Sequence, residues 1–252
     1  MIEETDRGFT LGDGLFETVR VGIFDGDPQD RLQPHFDRMS AGCRVLGLPE
    51  PHWDDLYPEI LSVLKTVTTP RAALRLTWSA GPGGRGLDRP AEPTARLIIT
   101  IASAPLPGPA RLVTAKTVRR NEMSPASRLK TLSYLDNVLA REEARAAGGD
   151  EAVMLNTKGH LACAAAANLF WVRDGRVFTP ALACGVLAGI TRGHLMARLP
   201  VEEVVVGQDA LKEAEAVFLT NSLVGIRAVT SLDGKTLPSH PLVMALAGKL
   251  PV

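Results

Sequence analysis

The chain has 252 residues, 45% of them hydrophobic, enough to bury a substantial core as one large or two modest domains. Lysine plus arginine equals aspartate plus glutamate at 28 each, which leaves no global electrostatic case for nucleic acid or an anionic membrane as partner. Cys43, Cys163 and Cys184 form no CxxC pair and are too few for a disulfide framework, which fits a reducing compartment. The start, Met1-Ile2-Glu3-Glu4-Thr5-Asp6, lacks the basic and apolar regions of a secretory leader. No apolar segment approaches the roughly 20 residues of a membrane-spanning helix. The expectation is a cytoplasmic protein with a small-molecule partner.

In chain order, residues 15–23 have strand composition. Leu32, Phe36, Met39, Cys43 and Leu46 fall at helical spacing and predict an amphipathic helix over 31–47. Leu56, Ile60, Leu61 and Leu64 mark a second, shorter helix. Residues 72–79 read as a strand, and Arg96 to Ser103 is β-branched enough to be a buried one. Ala104-Pro105-Leu106-Pro107-Gly108-Pro109 places three prolines in six residues, which no internal strand or helix interior tolerates. The reading is therefore a smaller N-terminal domain over 1–104, a linker over 105–110 and a larger C-terminal domain over 111–252. In that larger part, strands are predicted at 151–155, 168–172, 202–206, 216–220 and 226–230, and helices at 132–147, 190–199 and 208–214. Asp174-Gly175 is the centre of a hairpin. Residues 81–86 form a glycine-bearing loop. Strands mixed with helices, without regular β-α-β alternation, predict an α+β fold.

Two stretches carry chemistry. Leu129-Lys130-Thr131-Leu132-Ser133-Tyr134-Leu135 enters a helix that ends near Gly148-Gly149, followed by Asp150 to Leu155 and a turn at Asn156-Thr157-Lys158-Gly159. His160-Leu161-Ala162-Cys163, four alanines and Asn168-Leu169-Phe170 come next. By itself Lys130 reads either as a surface lysine at a helix start or as an amine that burial makes nucleophilic. Gly189-Ile190-Thr191-Arg192 opens a helix, either with an ordinary threonine cap or with backbone N–H groups turned toward an anion. Arg38 is a solvated helix-face arginine or an anion contact, and Tyr134 a core tyrosine or a cofactor contact.

Together with Asp6-Arg7-Gly8-Phe9-Thr10-Leu11-Gly12-Asp13-Gly14-Leu15-Phe16-Glu17-Thr18, these stretches resemble the class IV (fold type IV) pyridoxal-phosphate enzymes. That family holds branched-chain and D-amino-acid aminotransferases and 4-amino-4-deoxychorismate lyase. The likeness covers nearly the whole chain, with separated motifs in the right order. It implies a two-domain, D-amino-acid-aminotransferase-like α+β fold. It also implies a homodimer whose active site is closed by a partner loop, and pyridoxal 5'-phosphate held as a Schiff base to Lys130. Lys65, Lys116, Lys158, Lys212, Lys235 and Lys249 lack the motif frame. The resemblance assigns the phosphate to Gly189, Ile190 and Thr191, to the strand end Thr220-Asn221-Ser222 and to Arg38. Tyr134 would face the phenolic oxygen, and Asn168 belongs to the family's Asn-Leu-Phe motif.

One position departs from the family. A pattern like Gly-x-Val-x-Glu places a carboxylate opposite the pyridine nitrogen, five residues before Asn-Leu-Phe. Here the frame from Gly159 to Asn168 is intact and the position holds Cys163, with no acid between residues 160 and 170. A thiol, with an unperturbed pKa of about 8.5, does not hold a pyridinium as a carboxylate does. Three readings stay open: an enzyme working with a neutral pyridine and favouring elimination, a catalytically impaired cofactor-binding homologue, and a tolerated substitution. On the substrate side, Ser79-Ala80-Gly81-Pro82-Gly83-Gly84-Arg85-Gly86 looks most like the lyase branch, although lyases often carry arginine where Ala80 stands. Arg85 and Arg20 are the candidates for a substrate carboxylate. Family members usually have a further strand before Asp6, so the chain reads as shortened there. The leading function is a lyase releasing pyruvate and p-aminobenzoate for folate synthesis. The alternatives are a branched-chain or D-amino-acid aminotransferase and a non-catalytic homologue.

Overall fold

The computed structural model describes residues 2–23 and 28–247. It divides into two compact units, Met1–Pro105 with Leu129–Ser133, and Leu106–Arg128 with Tyr134–Val252. The first begins with α1 (Arg7–Leu11), whose N-terminus is capped by the Asp6 carboxylate accepting from the Phe9 amide. It continues with β1 (Gly14–Val21), α2 (Gln29–Leu46), α3 (Trp53–Leu64), β2 (Ala72–Ser79) and β3 (Arg96–Ser103). The strands form one antiparallel sheet in the order β1-β2-β3. Leu15, Val19, Val21, Leu74 and Leu76 on one face pack on Leu32, Met39, Cys43 and Ile60 from the two helices. The alternate positions Phe16, Thr18 and Arg20 of β1 fall opposite Thr77, Arg75 and Ala73 of β2, so the other face is largely polar. β3, read as a buried strand, is instead an edge strand. Only Leu97, Ile99 and Ile101 pack inward, and no residue of the strand is fully buried.

The free side of β1 is occupied by the segment around Lys130. Phe16 N donates to Lys130 O at 2.8 Å, and Leu132 N donates to Gly14 O at 3.0 Å. The division drawn at the prolines places Lys130 with the C-terminal part; in the structure residues 129–133 belong to the first unit. The reason is the unpaired backbone of an edge strand, which these residues satisfy.

The second unit contains β4 (Ala110–Thr114), α4 (Leu135–Ala146), β5 (Glu151–Leu155), β6 (Leu161–Ala164), β7 (Asn168–Arg173), β8 (Arg176–Pro180), α5 (Ile190–Met196), β9 (Val201–Val204), β10 (Ala216–Asn221), β11 (Gly225–Leu232), β12 (Lys235–Thr236) and α6 (Pro241–Leu246). The strand order is β6-β5-β4-β11-β10-β7-β8-β9, with β12 on β11. β6 and β7 stand five places apart in that order, a distance of about 24 Å in a flat sheet. Only the residues between Ala164 and Asn168 link them, which reach about 14 Å. The sheet must therefore curl, and it does so over the alanine run, where Ala164 N donates to Ala167 O at 2.9 Å.

The β7–β8 hairpin turns on Asp174 and Gly175, both at positive φ, as Asp-Gly requires. β4 and β6 were not read from the sequence. β6 is built of residues with weak strand propensity, and β4 follows directly on the proline segment. The helix predicted over 208–214 is one 3-10 turn, Gln208–Leu211. Among the described residues no helix is long and apolar enough to cross a membrane, and no cluster fit to hold a metal ion occurs. Lys249 lies outside the described residues.

Candidate active site

In the first unit, Lys130 Nζ lies 4.0 Å from the centre of the Phe16 ring, and the Arg75 guanidinium lies 3.8 Å from the same centre. Burial of the amine brings the Lys130 pKa down to about 8; the charge of Glu17 pulls it back up, and those of Arg38 and Arg75 push it further down. An amine of this kind is a far better nucleophile near neutral pH than an exposed lysine.

Glu17 is fully enclosed, on the core parity of β1 beside Leu15 and Val19. Arg38 Nε donates to its Oε1 and Arg38 Nη2 to its Oε2, both at 2.7 Å, and His35 Nδ1 stands 2.7 Å from Oε2. Burial alone raises a carboxyl pKa, but the Arg38 charge and the hydrogen bonds from His35 and Arg38 outweigh it and bring Glu17 to about 2. An ionised carboxylate only accepts, so His35 carries a proton on Nδ1.

The first unit thus brings Lys130 and Arg38 together, and adds Glu17, His35 and Arg75, which the reading of candidates missed. A charged residue at the inward parity of an otherwise apolar strand was the available signal for Glu17. Arg75, alternating with Leu74 and Leu76, offered a similar one. Arg20 sits further along the polar face, diagonal to Arg75, where burial and then Arg31 and Arg71 lower its pKa. Arg85 is exposed on the glycine loop. The arginine that organises this loop is Arg7, which donates to the carbonyls of Gly86, Leu87 and Asp88 and pairs with Asp13.

The second unit assembles the remaining candidates. Asn168 and Thr220 are directly opposed across β7 and β10. Asn168 Nδ2 donates to Leu187 O at 2.9 Å, just before the Gly189 that caps α5. Ile190 begins this helix and Thr191 is buried in its first turn. Asn221 donates to Ala166 O and accepts from the amides of Leu223 and Val224, which fixes the loop containing Ser222. Thr220 Oγ1 is buried and has no hydrogen-bond partner among the described residues. An orphaned hydroxyl beside a helix entrance suits an anionic group. Tyr134 is the N-cap residue of α4.

Cys163 lies on β6 opposite Met154, at a bulge, and packs with Ala162, Ala165, Cys184 and Val186. Burial pushes its thiol pKa up, an effect that Arg120 opposes and Glu151 reinforces. The thiol is therefore protonated at neutral pH. Arg120 is itself buried, donating to Asn137 Oδ1 at 3.1 Å and to the carbonyls of Ser127 and Gly185. Asn137 in turn donates to Ala165 O at 2.7 Å.

A model of the amino-transferase class IV family matches residues 14–232. The aminodeoxychorismate lyase of Vibrio harveyi is 28% identical over 90% of this chain and 86% of its own length. The branched-chain-amino-acid aminotransferase of Escherichia coli is 26% identical over 88% and 77%. Among solved structures, the 4-amino-4-deoxychorismate lyase of Pseudomonas aeruginosa superposes with a TM-score of 0.84 at 30% identity, covering 98% of this chain and 93% of that one. The α+β fold is that of the fold type IV pyridoxal-phosphate enzymes, and the chain belongs to the class IV aminotransferase family.

Proposed function

We propose that this enzyme is a pyridoxal-phosphate-dependent lyase acting on an amino substrate of the 4-amino-4-deoxychorismate type and releasing pyruvate and p-aminobenzoate. The observation that carries the lyase reading is the buried, protonated thiol of Cys163 at the strand position where the family carries a carboxylate. The donor set fits the cofactor: a desolvated amine at Lys130 and, in the second unit, an orphaned hydroxyl and a helix entrance capped by glycine with no side-chain cap.

When bound, the cofactor supplies an electron sink for charge developing at the amine-bearing carbon. Lys130 would anchor it and, as a neutral amine, would take the proton from that carbon. The enolpyruvyl oxygen leaves with its bonding electron pair and ends, after protonation, in pyruvate. In the second unit Gly189, Ile190, Thr191, Asn221 and Ser222 would hold the phosphate and Tyr134 would meet the phenolic oxygen; Arg38, in the first unit, is the arginine that the family resemblance assigns to the phosphate. Cys163 would face the ring nitrogen. A neutral thiol there would not fix a proton on the ring, which would handicap transamination more than an elimination whose charge departs with the leaving group. Arg75, beside Lys130, joins Arg20 and Arg85 as a site for a substrate carboxylate.

The dimer reading gains support from exposed apolar side chains: Phe9 and Leu87 in the first unit, and Leu135, Val138 and Leu139 on α4 in the second.

A lyase needs no keto-acid acceptor. Purified protein loaded with pyridoxal phosphate should release pyruvate from aminodeoxychorismate at the same rate with or without 2-oxoglutarate. Turnover that depends on the acceptor would make it an aminotransferase. No turnover of either kind would make it a cofactor-binding homologue.

A further inference from the structure

We propose that Asp13 is a positioning residue for substrate: through Arg7 and Arg89 it holds the glycine loop 81–88 in the shape that presents Arg85. This role rests on the reading of Arg85 as a contact for a substrate carboxylate. The loop by itself has little reason to keep one shape. Gly81, Gly83, Gly84 and Gly86 all have positive φ, and residues 83–88 are exposed, so core packing does not fix them. Arg85 is the only charged side chain between Gly81 and Leu87.

What fixes them is a set of charge-assisted bonds running inward. The buried Arg7 donates through Nη1 to the carbonyls of Gly86 and Asp88, at 3.4 and 2.9 Å, and through Nη2 to that of Leu87, at 3.0 Å. Its Nε donates to Asp13 Oδ2 at 3.0 Å, which sets the plane of the guanidinium. Arg89 donates from Nε to the same oxygen at 2.9 Å and from Nη2 to Asp13 Oδ1 at 2.6 Å. One carboxylate therefore holds the arginine that grips the loop and the arginine that ends it. The bond from Arg89, joined by that from Arg7, keeps the Asp13 carboxyl below its usual pKa against the opposing effect of burial. Gly84 completes the fit: a Cβ there would lie 2.1 Å from Asp88 O and 2.9 Å from Arg7 Nη1, so the loop closes on the guanidinium only without a side chain at that position. Arg89 also donates to Leu46 O at 2.6 Å, which ties the end of the loop to α2. Asp13 directly precedes Gly14, whose carbonyl accepts from Leu132 N, two residues beyond Lys130. Arg85 is thus held in a fixed relation to the strand that the Lys130 segment joins.

Two measurements on the cofactor-loaded enzyme test this. Trypsin cleavage after Arg85, followed by mass spectrometry, reads the loop; Arg89 precedes Pro90 and is not a trypsin site. Asp13→Asn should speed that cleavage about tenfold, since cleavage tracks the population of the opened loop. It should also raise KM for aminodeoxychorismate about tenfold while changing kcat by less than about twofold, because the loop places substrate and performs no chemistry. Asp13→Glu, which keeps the carboxylate, should recover part of both losses. Unchanged cleavage would overturn the proposal. So would faster cleavage with KM unmoved, or a loss confined to kcat.

If Asp13→Asn does not fold, Gly84→Ala gives the answer from the exposed side of the loop, where the added Cβ pushes Asp88 away from Arg7 without removing a buried charge. Cleavage and KM should move in the same directions, and neither moving would sink the assignment. Arg85→Ala separates the two levels of the reading. If that variant keeps the parent KM while Asp13→Asn is cleaved faster, the loop is held as described and the substrate role of Arg85 is what fails. A parent without lyase turnover would refute the lyase reading, and equal cleavage of parent and Asp13→Asn would still overturn the role of Asp13.

Discussion

Asn168 Oδ1 occupies the space in which a side chain on Gly189 would begin: a Cβ built there would lie 2.0 Å from it. Gly189 has φ −71°, a conformation open to any residue, so what requires glycine is contact and not backbone strain. Gly189→Ala must displace Asn168 or the start of α5. The expected result is at least tenfold weaker binding of pyridoxal phosphate, following a displacement that costs about 1–3 kcal/mol. A fluorescence titration measures it, and unchanged affinity would remove Gly189 from the phosphate site.

Lys130→Ala should abolish the visible absorption of the lysine-linked cofactor while circular dichroism shows the fold intact. Retained absorption would assign the anchor elsewhere. In the parent protein, the rate of cofactor capture should rise about tenfold per pH unit below pH 8 and level off above it, because only the neutral amine attacks and its pKa is about 8. A flat profile would mean that the reacting amine is not Lys130.

Glu17 should mark the acid stability of the first unit. Its folded pKa of about 2 lies below the ordinary 4.5, so its stabilisation is fully present above pH 4.5 and is lost as pH falls through about 2. The contribution is on the order of 3 kcal/mol. Urea unfolding at a series of pH values should show Glu17→Gln to be less stable at pH 6, with the difference shrinking as the acid limb is approached. A difference independent of pH would contradict the pairing.

Cys163→Glu restores the carboxylate of the family pattern. It should raise transamination more than elimination, by up to about 3 kcal/mol of barrier, the scale of one preorganised electrostatic contact. The added charge lies in a packed region, so some loss of stability accompanies it. Normal cofactor binding with both activities unchanged would show that residue 163 does not face the ring.

Val138→Glu on the exposed apolar face of α4 should shift the protein toward monomers in sedimentation at micromolar concentration. A parent protein that already sediments as a monomer with full cofactor occupancy would end the dimer reading.

Much of the fold was readable because periodicity and punctuation are local. The apolar spacing of Leu32 to Leu46 gave α2 to within two residues at its start and one at its end, and Asp174-Gly175 gave the β7–β8 turn. β6 was not readable, because Ala162, Cys163 and Ala164 have little strand preference and are extended only by pairing with β5. The buried character assigned to β3 failed because composition does not say whether a strand lies at a sheet's edge.

The sequence by itself determined the family, the order of the motifs and the missing acid at Cys163, since each is carried by residue identity at a fixed spacing. Only the tertiary structure decided the electrical setting of Lys130. Its segment joins β1 across more than a hundred residues of chain through backbone bonds that any residues can make. Glu17, Arg38 and Arg75 come from three separate elements, and their effect on one amine depends on burial and distance, which the linear order of residues does not contain.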